Sequence, residues 1–465
     1  MNWNSTTVDV EAWIAAGARL GAGNASLVSL WGEPGIAHMA ITESSELRLL
    51  HLPCSANRFP SIGRLHPPAT RLERAMRDLF GLDAHDAADR RPWLRHGGVY
   101  PFLPAEGESL HQIPVGPVHA GIIEPGHFRF TANGEAVVRL EQRLGYVHKG
   151  IDALMAGAAL DRAARLAGRV SGDSAVAYAL AFSQAVEAAC GAQVPPRAVW
   201  LRALFAELER LANHLGDIGA ICNDASFIIM HASFGLLRES VLRSAHACTG
   251  HRLMMDAVVP GGVRSDLPAE SIERVRGLIA LVRSRFPHLV DVYDNTASLK
   301  DRTVGTGILS ESLARQFGAG GYVGRASGRA FDARRDPGYA PYQELEWQTP
   351  VVHAGDVNAR VWIRIQEVEQ SLSLIEQILK RMPQGPVSTP LPGAAGEGIA
   401  RVEGFRGDVF AWVRIGADGT VERAHLRDPS WFQWPLLEAA IEGNIVADFP
   451  LCNKSFNCSY SGHDL

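Results

Sequence analysis

Residues 114–130 read Pro-Val-Gly-Pro-Val-His-Ala-Gly-Ile-Ile-Glu-Pro-Gly-His-Phe-Arg-Phe. The first part of this segment is rich in glycine and proline, which is typical of a turn, and His119 lies within it. The second part runs into residues 128–140, which predict two strands joined at Asn133-Gly134, because this dipeptide supplies the positive φ angles of a two-residue hairpin turn. The segment therefore predicts a turn that leads into a β-hairpin.

After the hairpin, apolar residues recur with the period of an α-helix. One such stripe consists of Leu201, Leu204, Leu208, Leu211, Leu215 and Ile218. A second long helix is predicted over residues 356–382, and the apolar run 409–415 predicts a strand. Long helices of this kind are typical of a bundle. The predicted fold class is α+β, with a large, mainly helical bundle flanked by small β-sheets.

The first hundred residues predict a separate α/β domain. Residues 47–53 are typical of a strand, and residues 69–81 predict a helix that ends at a glycine. In that helix Leu72, Met76 and Leu79 are spaced to form one apolar stripe. Residues 97–115 are rich in glycine and proline and predict a linker. We therefore divide the chain into domains at residues 1–100 and 101–465.

Composition excludes several classes of function. The 465 residues carry a net charge of −5, which gives no reason to expect nucleic-acid binding. No run of about 18 apolar residues predicts a membrane span, and the first residues lack the pattern of a signal peptide. The six cysteines form no Cys-x-x-Cys pair, and no Gly-x-Gly-x-x-Gly or Walker-type loop predicts a nucleotide site. We expect a cytoplasmic protein that contacts the membrane through partners.

Several segments carry a resemblance to a known family. Residues 114–130, Leu-Gly-Tyr-Val-His-Lys-Gly at 144–150 and Arg-Val-Ser-Gly-Asp-Ser at 169–174 resemble the large subunit of energy-converting, membrane-bound NiFe hydrogenases. These are hydrogenases of the formate hydrogenlyase and hydrogenase-4 type, and the 49-kDa subunit of complex I is their relative. Further segments follow in the same order: 207–219, 259–263, 301–307, 325–334 and 355–360. Residues 72–82 resemble the 30-kDa subunit of complex I, which implies a 30-kDa-like domain ahead of the large-subunit-like one.

The resemblance also identifies where a metal would lie. In the hydrogenases, two Cys-x-x-Cys pairs hold nickel, and the corresponding positions here are Ser171, Ser174, Ser459 and Gly462. Nickel in such a site requires soft thiolate ligands, a serine hydroxyl is a poor substitute, and glycine offers no side chain. We therefore expect this chain to bind no metal and no cofactor of its own. Arg325, Asp332 and Arg334 match the family loop close to the redox site.

The complex I relative implies a different ligand, a quinone. His119 corresponds to a histidine that contacts the quinone head group, and an imidazole can both donate and accept a proton near neutral pH. The partner tyrosine of that relative corresponds to Gly172, so Tyr178, nearly two helical turns further on, is the candidate substitute. His119 and Tyr178 are therefore the predicted catalytic residues. The alternative is that His119 only forms hydrogen bonds within its loop.

A charged stripe follows one face of the predicted central helix. Its members are Glu207, Arg210, His214, Asp217 and Asp224. Such a stripe is usually a solvated face or an interhelix ion-pair network, and a buried one can carry protons or tune a neighbouring cluster. Its expected partners on the later helix are Arg360, Arg364 and Glu367.

The resemblance implies a set of partners. They are a small subunit that carries a 4Fe-4S cluster and membrane subunits that translocate ions, with this chain held peripherally on the cytoplasmic face of the cell membrane. NAD binding belongs to the family's complexes rather than to this chain. The leading hypothesis is a redox subunit that lacks a NiFe centre and handles quinone or another electron acceptor. The alternatives are a non-catalytic scaffold that retains the assembly interface and a working NiFe hydrogenase subunit.

Overall fold

The computed structural model describes residues 3–44, 46–119 and 123–465. The N-terminal part forms a four-stranded sheet in the order β1-β4-β3-β2, with β1 parallel to β4 and the other pairs antiparallel. The elements of this N-terminal part are β1 (Trp3–Thr7), α1 (Val10–Gly21), β2 (Ser26–Glu33), β3 (Ile36–Glu43), β4 (Glu46–Pro53), β5 (Arg58–Pro60), α2 (Thr70–Phe80) and β6 (Asp83–His85). The predicted strand at 47–53 is β4.

The predicted helix at 69–81 is α2, and it ends as expected. Gly81 has φ +68° and forms the left-handed cap, a conformation that favours glycine. Leu72 and Met76 are buried, whereas Leu79 is 45% exposed, so the predicted three-residue stripe is wrong at its last member. Leu79 instead lies at the rim of a cavity between α2 and the remainder of the chain.

The predicted hairpin is present, with its turn shifted by one residue. It lies in a three-stranded antiparallel sheet of β7 (Leu110–Val115), β8 (His127–Asn133) and β9 (Ala136–Arg143). Asn133 pairs with Ala136, so the two turn residues are Gly134 and Glu135, and only Gly134 has a positive φ, of +57°. A glycine at the first turn position is sufficient for this type of hairpin.

A helical bundle follows the hairpin. Its elements are α3 (Ile151–Met155), α4 (Leu160–Ala167), α5 (Ala175–Cys190), α6 (Pro196–Asp224), α7 (Ile228–Thr249), β10 (Val258–Val259), β11 (Gly262–Val263), α8 (Ala269–Asn295), α9 (Ala297–Thr303), α10 (Glu311–Gln316), α11 (Gly321–Ala326) and α12 (Val357–Arg381). Helix α6 packs against both α7 and α12 and is buried along most of its length. The Asp356 carboxylate caps α12 by accepting a hydrogen bond from Ala359 N at 2.7 Å. The two long helices predicted from the sequence are α6 and α12.

The C-terminal part adds a small sheet and three helices. They are β12 (Gly396–Gly404), β13 (Gly407–Ile415), β14 (Val421–Arg427), α13 (Ser430–Ala440), α14 (Phe449–Phe456) and α15 (Tyr460–Asp464). Helix α5 lies directly on β12, where a β-carbon at Gly398 would overlap the carbonyl oxygen of Ala185. This close approach holds the C-terminal half of α5 against the sheet.

The N-terminal sheet packs on the C-terminal one. Arg427 Nε donates to the Val28 carbonyl at 2.8 Å, and the Ser29 hydroxyl lies 2.8 Å from His425 Nε2. Residues 97–109 are mostly exposed and form no helix or strand, as predicted for the linker at 97–115. The prediction is wrong for the end of that linker, because residues 110–115 pair with β8 as strand β7. That residues 1–100 form an independent domain stays a prediction. No helix within the described ranges is long and apolar enough to cross a membrane.

Candidate functional site

Two segments far apart in the sequence meet at the predicted metal positions. Ser171 and Ser174 lie in the 3-10 turn ahead of α5, and Ser459 is the N-cap of α15, where its hydroxyl accepts a hydrogen bond from Gly462 N at 2.9 Å. The Ser171 and Ser459 hydroxyl oxygens are 3.2 Å apart. All three serines are buried, with at most 5% of each exposed. The hydroxyls therefore lie in the interior of the protein.

The Asp173 carboxylate binds both serines of the first pair. Asp173 Oδ1 accepts hydrogen bonds from the Ser171 hydroxyl at 2.7 Å and from the Ser174 hydroxyl at 3.1 Å. Arg406 donates to both carboxylate oxygens, at 2.8 and 2.5 Å. Burial raises the pKa of Asp173, but the Arg406 charge and these hydrogen bonds outweigh it and hold the pKa at about 2. Because the Ser171 proton points to Asp173, Ser459 donates to Ser171.

A second carboxylate occupies the space beside Gly462. The Tyr178 hydroxyl donates to Asp428 Oδ2 at 2.5 Å, and Ser430 N donates to Asp428 Oδ1 at 2.8 Å. A β-carbon at Gly462 would overlap the same Asp428 carboxylate. Burial, followed by the Asp428 charge, raises the pKa of Tyr178 well above its ordinary value, so Tyr178 is a neutral hydrogen-bond donor. We call these groups the serine cluster; it comprises Ser171, Asp173, Ser174, Tyr178, Arg406, Asp428, Ser459 and Gly462.

The chemistry of the serine cluster is hard and oxygen-rich. Within residues 3–44, 46–119 and 123–465, no three His, Cys, Asp or Glu side chains are arranged to hold a metal ion. Cys452 and Cys458 lie nearby in sequence but are buried, and burial raises the pKa of both thiols, to about 11 at Cys452. Thiols with raised pKa values are poor metal ligands, since the thiolate is the form that binds. These groups do not fit the four-thiolate shell of a nickel–iron centre.

His119 lies at the edge of this region. Its ring centre is 5.5 Å from that of Phe128 and 6.2 Å from that of Tyr460, the residue after Ser459. Burial lowers the pKa of His119, and Nε2 has no hydrogen-bond partner among the residues that the structure describes. The Glu124 carboxylate ties the same loop to α15 by accepting from Ser461 N at 3.0 Å. Residues 120–122 of the predicted turn lie outside the described residues.

The structure therefore brings most of the predicted site residues together. Four metal positions and Tyr178 share the serine cluster, and His119 adjoins it through Tyr460. Sequence reasoning did not select Asp173, Arg406 or Asp428. Asp173 could have been found, because it lies between the two serines and carries a carboxylate into the site. Arg406 and Asp428 follow strands β12 and β14 at turns with no distinctive spacing.

Arg325, Asp332 and Arg334 form a separate, fully buried group. Arg325 Nη1 binds Glu403 at 2.9 Å and Asp332 at 3.3 Å, and Arg334 binds Asp332 at 2.7 Å. Arg334 also binds Glu207 on α6 at 2.9 Å. Arg325 and Arg334 thus pair with Asp332 and with carboxylates of α6 and β12 rather than with the serines.

The charged stripe on α6 is an interhelix ion network. His214 Nε2 lies 2.7 Å from Glu367 on α12, and Arg210 lies 3.4 Å from the same carboxylate. The expected partner Arg364 binds Asp217 at 3.1 Å, whereas Asp224 is only half-buried. Charged residues of this stripe and the buried group around Arg325 together form what we call the α6 ion network. It comprises Glu207, Arg210, His214, Arg325, Asp332, Arg334, Glu367 and Glu403. The prediction of a further partner, Arg360, is wrong, because its guanidinium binds Ser455 and the carbonyls of Gly307 and Gly355.

Charge balance explains the pKa shifts in this network. Three guanidinium groups, those of Arg210, Arg325 and Arg334, face four carboxylates. Burial raises the pKa of Glu367, but Arg325 and His214 outweigh it, so the pKa lies well below its ordinary value. Burial and then the Asp332 charge raise the pKa of Glu403 to about 7. Within this network, Glu403 is therefore the carboxyl group whose pKa is raised toward neutrality.

The Arg364–Asp217 ion pair between α12 and α6 connects to the serine cluster through Asn457. Asp217, which binds Arg364, accepts a hydrogen bond from Asn457 Nδ2 at 2.9 Å. The Asn457 carbonyl in turn accepts from Arg406 Nε at 2.5 Å. Arg406 is thus the point at which the buried charges of α6 and α12 approach the serines.

The chain is similar to proteins of a known family. Residues 225–395 match the family described as "Respiratory-chain NADH dehydrogenase, 49 Kd subunit". Formate hydrogenlyase subunit 5 of Escherichia coli (strain K12) is 32% identical over 438 residues, which cover 87% of this chain and 77% of that protein. An NADH-quinone oxidoreductase subunit of Desulfotalea psychrophila is 31% identical over 355 residues, which cover 74% of this chain and 93% of that protein.

A solved structure agrees with these relatives. One chain of the membrane-bound sulfane sulfur reductase, an archaeal respiratory membrane complex, superposes with a TM-score of 0.73 at 27% identity. The match covers 77% of this chain and 99% of that chain. The predicted α+β fold class and the predicted family resemblance are confirmed. The chain belongs to the family of oxidoreductase subunits that the 49-kDa subunit of respiratory-chain NADH dehydrogenase shares with hydrogenase subunits of membrane-bound complexes.

Proposed function

We propose that this chain is the redox-site subunit of a membrane-associated complex related to hydrogenases and complex I, and that its site holds no nickel–iron centre. The observation that carries this proposal is the position of Asp428. Its carboxylate takes the space beside Gly462 and is held there by the Tyr178 hydroxyl and Ser430 N. A cysteine at residue 462 would have to displace a buried, hydrogen-bonded carboxylate.

The chemistry of the remaining positions supports the same proposal. Nickel in this family needs soft, deprotonated sulfur ligands. The hydroxyls of Ser171 and Ser174 remain protonated near neutral pH and donate those protons to Asp173. The Asp173–Arg406 pair neutralises its own charge within the site, so the Asp173 carboxylate already has a cationic partner.

The proposed chemistry of the site is proton exchange with an organic electron acceptor such as a quinone. His119 supports this proposal because a half-buried imidazole with a lowered pKa remains neutral and can accept or donate a proton. Tyr178 supports it as a neutral hydroxyl held by Asp428. Electrons would come from a 4Fe-4S cluster in a small partner subunit, which docks against residues 114–130 and 453–465.

Membrane attachment completes the proposal. The similar archaeal protein belongs to a respiratory membrane complex, and a subunit of NADH-quinone oxidoreductase is a relative. We propose that ion-translocating membrane subunits hold this chain on the cytoplasmic face of the membrane. Residues 1–100 would act as a 30-kDa-like domain, and residues 101–465 as the large-subunit-like domain.

One observation favours a second candidate function, a scaffold without catalysis. The hydroxyls of Ser171, Ser174 and Ser459 are buried and bonded to groups within the cluster. An acceptor that entered this site would have to replace hydrogen bonds that are already made. A scaffold subunit binds no acceptor in this site, so a closed cluster does not impair its function.

The test uses the intact complex, purified from its native membrane. We expect nickel well below one atom per chain by mass spectrometry of the metals, together with no oxidation of hydrogen. A formate hydrogenlyase complex, prepared in the same way, is the positive control. Nickel at one atom per chain would overturn the proposal and favour a working hydrogenase. Turnover of a water-soluble quinone supports the redox-site role, and its absence in a fully assembled complex favours the scaffold.

A further inference from the structure

A second cavity lies away from the serine cluster. Its volume is about 330 Å³, and it lies between α2 with the end of β2 on one side and α3 with β14 on the other. Most of its lining is apolar, including Leu30, Leu72, Met76, Ile151 and Trp412. None of the serine-cluster residues lines it. A partly enclosed apolar cavity of this size is typical of a small-molecule site.

Polar groups converge on one part of this cavity. Asp152 on α3 lies with Oδ2 3.1 Å from His425 Nδ1, and the Ser29 hydroxyl is 2.8 Å from His425 Nε2. The Trp31 ring stacks on His425 with ring centres 4.7 Å apart and planes 9° from parallel. Asp152, His425 and Trp31 all line the cavity. One end of the cavity is therefore polar and aromatic.

Two polar atoms at this end are unsatisfied. Asp152 Oδ1 is a buried acceptor and Trp31 Nε1 a buried donor, and neither has a hydrogen-bond partner among the described residues. Buried polar atoms without partners are uncommon, and each costs about 1–3 kcal/mol of stability. Asp152 and Trp31 both contact His425 and both line the cavity, so a ligand hydroxyl group at this end can donate to the carboxylate or accept from the indole.

The charges around the cavity exclude most ionic ligands. Glu33 is paired with Arg414, and Asp464 accepts hydrogen bonds from Gly145 N and Val147 N. Asp152 would repel an anion, and a cation would lose its hydration against the apolar walls. An uncharged ligand is the one that these walls accommodate.

We propose that this cavity binds an uncharged, largely apolar molecule that carries a hydroxyl group, of the size of a two-ring aromatic alcohol. The size follows from the volume, since a cavity of about 150 Å³ binds benzene and this one is about twice as large. The hydroxyl lies at Asp152 and Trp31, and the rings lie among Leu72, Met76 and Ile151. This inference does not depend on the chemistry of the serine cluster.

The rim of the cavity gives a ligand access. Leu79 is 45% exposed, Ala153 is exposed, and the Arg423 side chain is 40% exposed. All three residues line the cavity. Ala153 offers a direct test, because a large side chain there would cover the opening without entering the core.

The experiment measures binding of 2-naphthol and naphthalene to the full-length chain by isothermal titration. We expect 2-naphthol to bind at least about tenfold more tightly than naphthalene, the ratio that corresponds to one good hydrogen bond to a charged group. Ala153→Trp should weaken 2-naphthol binding at least tenfold. Leu154→Trp is the matched control, because residue 154 is exposed on the same helix and does not line the cavity.

A second variant tests the polar end. Asp152→Ala should bring the ratio of the two affinities close to one, and a ratio is insensitive to partial unfolding of the variant. Equal 2-naphthol affinity in Ala153→Trp and Leu154→Trp would overturn the site. Binding of 2-naphthol no tighter than that of naphthalene to the unaltered chain, or no binding of either, would overturn the assigned ligand class.

Discussion

The hydroxyl groups of Ser171 and Ser459 are hydrogen-bonded at 3.2 Å across 288 positions of the chain. This contact joins the turn ahead of α5 to the N-terminus of α15, and the Asp173 carboxylate completes it by accepting the Ser171 proton. If these positions correspond to nickel ligands of hydrogenases, as we propose, the side chains there would both point to a metal. Here they bind each other, so the geometry of the site depends on hydrogen bonds alone.

The first prediction concerns the space beside Gly462. Gly462→Ala should destabilise the chain by about 1–3 kcal/mol, the usual cost of inserting a methyl group into a filled interior. The added β-carbon would overlap the Asp428 carboxylate, which the Tyr178 hydroxyl holds in place. Thermal unfolding measures the change. Gly235→Ala is the control, because a β-carbon at this exposed position of α7 would meet no atom within 4 Å.

A double variant sharpens this prediction. Asp428→Ala removes the obstructing carboxylate, so Gly462→Ala should cost much less in the Asp428→Ala background than in the original chain. Additive effects of the two substitutions would show that Asp428 does not occupy the space at residue 462. They would also remove the main support for a site without nickel.

The second prediction concerns turnover in the assembled complex. His119→Ala should lower turnover of the electron acceptor about 100-fold or more, the usual scale for a lost proton-transfer group, while assembly is unchanged. His111→Ala is the control, because His111 is exposed on β7 within the same sheet. Gel filtration of the complex checks assembly. Full turnover of the His119→Ala complex would contradict a proton-transfer role for His119.

Local sequence signals were sufficient for the main elements of the fold. Helices α6 and α12 follow from the 3.6-residue period of their apolar residues, and the hairpin follows from Asn133-Gly134. Each of these signals depends on neighbours in sequence. Leu79 shows where helical spacing alone fails to predict burial. Its spacing matches the buried stripe of α2, but in the folded N-terminal part it lies at the rim of a cavity.

Tertiary contacts were harder to predict than elements. Arg364 was expected to be a partner of the charged stripe on α6, and it binds Asp217 of that stripe at 3.1 Å. Arg360 lies one turn earlier on the same helix face yet binds carbonyls and Ser455, because glycine turns bring backbone oxygens close to it. No sequence pattern indicated Asp428, because its contacts form only where the end of β14 lies beside α15.

The third prediction concerns the stability of the site at acid pH. Arg406 holds the pKa of Asp173 at about 2 against an ordinary value of 3.8, so the pair stabilises the fold above about pH 4. That contribution is lost as the pH falls through 2. Asp173→Asn should cost about 1 kcal/mol at neutral pH, a modest value because 33% of the Asp173 side chain is exposed. The difference from the original chain should shrink between pH 4 and pH 2 in thermal unfolding; a constant difference would contradict the ion-pair assignment.

The fourth prediction concerns the division of the chain. Limited proteolysis should cut first near residues 97–112, because this stretch is exposed and mostly lacks helix or strand. The two fragments should remain associated, since Arg427 and His425 bind the N-terminal sheet. Mass spectrometry of early products locates the cuts. Early cleavage within α6 would contradict both the domain boundary and the buried central helix.

The last prediction separates two carboxylates of the α6 ion network. Glu367→Gln should destabilise the chain by about 3–5 kcal/mol, because it leaves the buried Arg325 guanidinium without its nearest charge. Glu403→Gln should cost clearly less at pH 7, because the raised pKa of Glu403, about 7, means that about half of this group is already neutral there. Glu367 and Glu403 both bind the guanidinium of Arg325, so each variant is the control for the other.

The pH dependence of these variants gives an independent check. The pKa of Glu403 is about 7 in the folded chain against an ordinary value of 4.5, so between these values the folded chain keeps a proton that the unfolded chain releases. Stability from this group therefore falls as the pH rises from about 4.5 to 7. Glu403→Gln should remove that part of the fall, measured as thermal midpoints at pH 5, 6 and 7, whereas Glu367→Gln should keep it. Equal costs at pH 7, or an unchanged slope in Glu403→Gln, would show that Glu403 is ionised and that another group carries the exchangeable proton.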